Sequence, residues 1–497
     1  MKQVSLIANS GIQVFTLEVQ LNFQDKFKQW YHEWYDTEEN QWKLSHVLQI
    51  NDEDETFYYD KQKLHRGGYL QGPLSDLTFQ ELREDGIMPL RVDDINAEGV
   101  KGEIYSLTFS DRKNKLSCFE NVWLPLPYFF KRTEKKFHFG PFNWARCKFV
   151  PKQDENGVKS YDVVLAFDTR ARYEVLRDKY DEYPVFPDQF KTSMDFELCS
   201  NEFSVMEFCS ADTEWGYVHE RLFQLCYPEL QNVGQIKGNN VQRLSFVASY
   251  IFLMQYLTQH EAFPRVTLYK DVEVEVKDVD MVVDIGNSRT TALLIEDNRN
   301  FNQVRQLELT DYTDLFVHTD DGLVVNRYQE SFDMRLAFRK VDFGQFGFRD
   351  SRQFVYPSLV RLGREAEHLI HRATNSLDNE ETLSTYSSPK RYLWDDKPSK
   401  EEWKYLILPG EKDDHVLYLR GITNQLKSDG RVDAEGNGGH SFHYSRRSLM
   451  TLAFLEMLVQ AHTQLNGEKH RSSRYGLGRP DMPHASSSAL DTKDRSE

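Results

Sequence analysis

The stretch M-V-V-D-I-G-N-S-R-T-T-A-L-L-I-E, from Met281 to Glu296, narrows what this chain can fold into more than any other. Two apolar runs flank a compact polar turn, the pattern of a β-hairpin rather than a helix. Gly286 has no Cβ, so the backbone there can fold tightly and come close to an anion. The amides of Asn287, Ser288 and Arg289 then form a nest of N–H donors. Ser288 and Thr290 would add hydroxyl donors. Asp284 ends what reads as a buried strand and is placed to hold Mg2+ through water, because magnesium takes few carboxylates and keeps several waters. Such a donor set suits a metal-bound triphosphate. It requires that Asp284 not face solvent and that Met281 to Glu296 not be helical.

The rest of the chain sets bounds. Its 497 residues suffice for two or three domains at about 150 residues each. Aromatic residues reach 13%, with 33 Phe and 25 Tyr, a composition that builds a packed core rather than a disordered chain. The net charge of −17 disfavours general nucleic-acid binding, since phosphate backbones are repelled. Five cysteines, without any C-x-x-C pair, read as reduced, buried thiols of a cytoplasmic protein and argue against zinc. The N-terminus lacks the long apolar stretch of a secretory signal. The most apolar segment, Leu244 to Leu257, is shorter than the ~20 residues a membrane span needs.

Residues 1–270 read as a β-rich, aromatic-rich accessory region. Strands are expected at Val4 to Ile7, Gln13 to Val19, Tyr105 to Phe109 and Val163 to Phe167. Asn9-Ser10-Gly11 is expected to turn the first two into a hairpin. It has no aspartate matching Asp284 and is given no metal role. Asn240 to Gln259 is expected to be a helix, apolar nearly all round and so buried between layers. Residues 271–465 open with V-E-V-E-V (Val272 to Val276), a half-exposed strand, and Phe301 to Leu309 would add a third strand beside the hairpin. Their last helix should run from an N-cap at Ser445 to about Gln464. Residues 466–497 are polar, with Gly and Pro, and are expected to be disordered.

The segment Asp284 to Thr291 resembles the first phosphate motif of the actin, sugar-kinase and DnaK superfamily, an Asp-x-Gly turn between two strands. The D-x-G-N-S variant is similar to that of type III pantothenate kinases. Two later segments extend the resemblance. Tyr356 to Ala366 (Y-P-S-L-V-R-L-G-R-E-A) looks like the DnaK-type stretch in which Pro-Ser and a strand precede a Gly-x-x-Ala helix start. Ser387 to Trp394 (S-S-P-K-R-Y-L-W) looks like the stretch that places a lysine near the transferred phosphate. Pro357 and Lys390 lie 33 residues apart, close to the family's separation. The resemblance implies an α/β lobe (α+β overall), ATP and Mg2+ as cofactors, and Lys390 as the catalytic cation offsetting charge on the γ-phosphate. Arg391 competes for that role. No Walker-type G-x-x-x-x-G-K-[ST] occurs, which argues against a P-loop ATPase. The glycines of Glu435 to Gly439 follow no buried strand and read as a flexible loop.

Together with the opening V-S-L-I-A-N-S-G-I-Q-V-F (Val4 to Phe15), these motifs resemble the SrfB-type virulence factors of Gram-negative bacteria. That resemblance covers about residues 1–465. It implies a longer protein, with the second phosphate motif and the adenosine-binding Gly pair further on, so this chain would hold one lobe of a two-lobe clamp. The polar tail then fits a frameshift or early stop, and ATP turnover by this chain alone is not expected. Three functions follow: an ATP-dependent conformational protein, a non-catalytic interaction factor with a vestigial nucleotide site, and a small-molecule kinase. The third needs a catalytic aspartate elsewhere to deprotonate a hydroxyl. A protein partner is expected, recognised by the first region. Asp52 to Glu55 reads as a solvated loop, and His65, His219 and His260 show no ligand spacing.

Overall fold

The computed structural model describes, apart from short breaks, residues 3–21, 27–49, 56–59, 88–91, 102–108, 116–169, 193–230, 244–269, 275–296, 304–338, 342–343, 354–355, 358–375, 385–390, 403–406, 416–419, 446–467 and 473–477. Asp52 to Glu55, His65, Pro357, Arg391, the glycines at 436–439 and Ser445 lie outside these. The architecture is mixed α and β.

In the first region, one sheet runs in the order Gln3–Ile7, Arg265–Tyr269, Ser193–Leu198, Tyr128–Thr133, Lys136–His138. A second runs Ile12–Gln20, Lys159–Asp168, Ala145–Gln153, Trp123–Pro125, and a third centres on Lys28–Asp36 between Gln41–Gln49 and Gly102–Thr108. The expected strands are therefore present, but the expected N-terminal hairpin is not. Gln3–Ile7 pairs in parallel with Arg265–Tyr269, whereas Ile12–Gln20 pairs with Lys159–Asp168 in another sheet. Ser10 and Gly11 carry the chain between the sheets. Gly11 has φ +88°, which a glycine adopts without steric cost. The buried Ser10 amide donates to Thr169 Oγ1 at 3.0 Å, and that hydroxyl donates to the Gly11 carbonyl at 2.7 Å. The corner is thus satisfied by a partner more than 150 residues away.

Among the described residues three helices accompany these sheets: α1 (Glu202–Cys209), α2 (Gly216–Cys226) and α3 (Ser245–Gln259). As its apolar circumference requires, α3 is buried on nearly every side. No side chain of its own caps it; the Glu33 carboxylate accepts the Leu244 N–H at 2.9 Å instead. His219 meets Phe246 edge-on and His260 packs tilted against Tyr256, as ordinary packed rings. The first core also takes in Tyr312, Leu315 and Leu323, so it extends past residue 271.

The second region is built on the hairpin. Glu275–Ile285 and Arg289–Glu296 pair antiparallel, and Val304–Gln306 adds the third strand. The fourth is Ser473–Leu477, parallel to Glu275–Val279. That strand corrects the expectation of a disordered tail for residues 473–477: a short segment of low intrinsic preference is ordered by pairing with an available strand edge. Helix α4 (Gly363–Asn375) follows the strand Val360–Leu362 directly, as the Gly-x-x-Ala pattern implied. Gly363 makes that junction at φ +59°, and a Cβ there would meet Phe332 Cβ at 2.9 Å. Among the described residues no helix is long and apolar enough to cross a membrane.

Helix α5 (Arg446–Asn466) covers the inner face of this sheet, burying Met450, Ala453, Met457, Ala461 and Leu465 against Val279, Ala292 and Leu294. Its buried polar residues Glu456, Gln460 and Asn466 are hydrogen-bonded. Arg361, fully buried, donates to Glu456 at 3.0 Å and to the Ser358 carbonyl at 3.0 Å. Gln460 accepts the Thr310 N–H at 3.0 Å and donates to the Thr310 carbonyl at 3.2 Å. One turn on, Gln464 treats Glu308 N–H (2.9 Å) and Gln306 O (3.1 Å) likewise. Glu456→Ala would strand the Arg361 charge in the core. We expect it to lower stability by about 3–5 kcal/mol, measured by denaturant unfolding of the full chain.

Candidate functional site

The hairpin closes at the Ile285–Thr290 pair. Within the turn the Gly286 N–H donates to the Arg289 carbonyl at 2.9 Å, and a Cβ on residue 286 would lie 2.4 Å from that oxygen. Glycine is therefore required by the closure of the turn itself. The Ser288 carbonyl accepts the Met334 N–H at 3.0 Å, and the Met334 carbonyl accepts the Ser388 N–H at 2.7 Å. Ser388 has φ +55°, which bends the chain so that Pro389 and Lys390 return toward the hairpin. There the Lys390 ammonium donates to the Ile285 carbonyl at 2.9 Å. The two separately expected elements, turn and lysine, meet across 105 residues.

Strand alternation distributes the other residues. Val279, Thr290, Ala292 and Leu294 face α5 and are buried. Asp284 lies on the opposite face with Val282, which is 51% exposed, and Leu293 at 36%. Two expectations are corrected by this. Asp284 does not end a buried strand: its carboxylate is on the exposed face. Thr290 is only 1% exposed and turned inward, so its hydroxyl does not stand beside Asp284. The cross-strand partner of Asp284 is Thr291, whose hydroxyl is 2.7 Å from that of Ser331. Asn287, Ser288 and Arg289 are exposed, and Arg289 lies 3.6 Å from Asp333. The opposite placement of residues 284 and 290 follows from the period of two: Asp284 is paired with Thr291 and shares its face, so the adjacent Thr290 faces the other way.

A concave feature away from the hairpin was not visible in the sequence. A cavity of about 540 Å3 lies where Trp123 and Lys148 of the first region meet Asp314, Asn326, Arg364 and His368 of the second. Burial lowers the affinity of the Lys148 ammonium for its proton. At its edge Asp311, Asp314 and His368 place one ligand-type atom each within 4.8 Å of one another. The carboxylates already have protein partners. Asp311 accepts the Thr313 and Asp314 amides (3.0 and 2.7 Å) and the Tyr328 hydroxyl (3.2 Å), and Asp314 pairs with Arg372. We read the cluster as a clamp on the 311–314 turn. The only hint in the sequence was the Asp-x-x-Asp spacing, with His368 54 residues beyond Asp314.

Behind it, Glu365 is buried and accepts both the N–H (2.8 Å) and hydroxyl (2.7 Å) of Thr313. Burial, with Asp311 as a repelling neighbour, pushes its carboxyl from 4.5 up to about 8, against the opposing pull of Arg361. The folded state thus holds a proton that the unfolded chain releases near pH 4.5. Stability from this group is complete below that value and is lost as pH rises toward about 8. We expect the thermal midpoint to fall across that window, and Glu365→Gln to flatten the dependence in melts at graded pH.

The fold and site define a mixed α/β protein with an exposed Asp-x-Gly hairpin. The chain matches the family model described as Virulence factor SrfB over residues 1–484, and it belongs to that family. Neither a curated protein nor a solved structure matches it.

Proposed function

We propose that this virulence-factor-family protein carries, in its hairpin, the phosphate-gripping element of an actin/DnaK-like nucleotide-binding core. It would bind Mg-ATP. The observation that supports this most is the seating of Lys390 on the Ile285 carbonyl, since two segments paired only by resemblance come together beside the turn. The exposed segment Asn287 to Arg289 is placed to approach phosphate oxygens. Lys390 would offset their charge, and Asp284 would order the magnesium waters. Bound ATP would supply the energy for a change of shape, and the first region would carry that change to a protein partner in the cytoplasm. Asp284 does not meet the condition that it not face solvent, so its hold on the magnesium waters would be weak and the reading rests on the turn and Lys390; turnover is not expected, because electrostatic stabilisation is weak where water is not excluded. Calorimetric titration of the full chain with Mg-ATP should show weak binding that Asp284→Ala makes independent of metal and Lys390→Ala reduces about tenfold or more. Identical isotherms for all three proteins would remove the proposal.

The same exposed face favours a second reading, a non-catalytic interaction protein with a vestigial site. Val282 and Leu293 form an apolar surface between Asp280 and Asp284 that a partner would cover. Under that reading, a partner is captured equally well by the native chain and by Asp284→Ala.

A further inference from the structure

All five cysteines are thiols in this structure, but two are not isolated. Cys118 lies in the 3-10 turn Leu116–Phe119, and Cys226 is the last residue of α2 (Gly216–Cys226). Their Sγ atoms are 3.2 Å apart, although 108 residues separate them in the chain. A disulfide has its sulfurs about 2.05 Å apart, so bond formation needs a closure of only about 1 Å. Cys118 sits in a single short 3-10 turn and Cys226 at the end of its helix, where a shift of that size does not disturb a helix interior. Access is unequal in a useful way: Cys118 is half-buried and reachable from solvent, whereas Cys226 is only 2% exposed.

We propose that Cys118 and Cys226 form a modification site, an intramolecular disulfide made by exchange with a small-molecule disulfide. The Cys118 thiolate attacks one sulfur of the reagent, forming a mixed disulfide and expelling one thiolate. Cys226 then loses its proton and attacks Cys118 Sγ, and the second reagent thiolate leaves. Two protein thiols become one S–S bond and the reagent is reduced to two thiols, so electrons balance. The remaining cysteines are controls. Cys147, Cys199 and Cys209 are fully buried, and burial holds the Cys147 and Cys209 thiols well above their usual range, which suppresses the reactive thiolate. The bond would tie the end of α2 to the turn that precedes Trp123–Pro125 and close a long loop, restricting the unfolded chain.

The test exposes the full-length protein to oxidised glutathione at mildly alkaline pH, then alkylates it after unfolding. We expect three of the five thiols to remain alkylatable, a peptide linking Cys118 to Cys226, and a higher thermal midpoint that a reductant reverses. Cys118→Ser, at the more accessible position, should retain four alkylatable thiols and gain no internal cross-link. Melts of the reduced forms establish that this variant folds; if it does not, Cys118→Ala takes its place. Five alkylatable thiols after oxidation, a bond to any other cysteine, or a disulfide-linked dimer on a non-reducing gel would each overturn the proposal.

Discussion

The contact on which the second region depends is the seal between α5 and the hairpin sheet. A sheet with one face against a helix must bury apolar side chains there and also satisfy the backbone groups at its edges. The methionines and alanines of α5 do the first. Gln460 and Gln464 do the second, each using its amide as a peptide-like rung against residues 306–310. The Arg361–Glu456 pair fixes the helix against the strand Val360–Leu362. Because a buried charge without its partner is costly, this pair tolerates little sliding of α5, and register follows from that.

That rigidity is transmitted to the turn. Hydrogen bonds run from Ser288 through Met334 to Ser388, and Lys390 closes the circuit on Ile285. A turn fixed this way presents the same groups every time, which is what a binding element needs. The opposite face of the hairpin stays open, with Val282 and Asp284 both outward. The proposed nucleotide role and the alternative docking role both start from that open face. They differ in what it contacts, a phosphate-bound metal or another protein.

Local pattern made much of this legible. The hairpin could be read from two apolar runs around a polar turn, α3 from its apolar circumference, and the helix start at Gly363 from the Gly-x-x-Ala spacing. Local pattern also misled. The Asn9 to Gly11 turn looks like a hairpin, yet its flanking strands join different sheets, because the edge of Arg265–Tyr269 is the better partner for Gln3–Ile7. The segment Ser473–Leu477 looks disordered by its own composition for the same reason: its order comes from pairing with Glu275–Val279, not from its own residues. Asp284 and Thr290 look like members of one site in the linear pattern, but the pleat turns them to opposite faces. The cavity, and the Cys118–Cys226 contact, join residues so far apart that no spacing rule connects them.

The amino-acid sequence alone determined the elements whose cause is local: the Asp-x-Gly turn with its obligatory glycine, the buried helix and the acidic surface. Periodicity and backbone sterics act over a few residues and can be read there. Tertiary structure alone decided which strands share a sheet, which face of the hairpin meets α5, and which thiols and carboxylates become neighbours. Those outcomes depend on competition among distant edges and faces for burial, and that competition is settled only when the whole chain has packed.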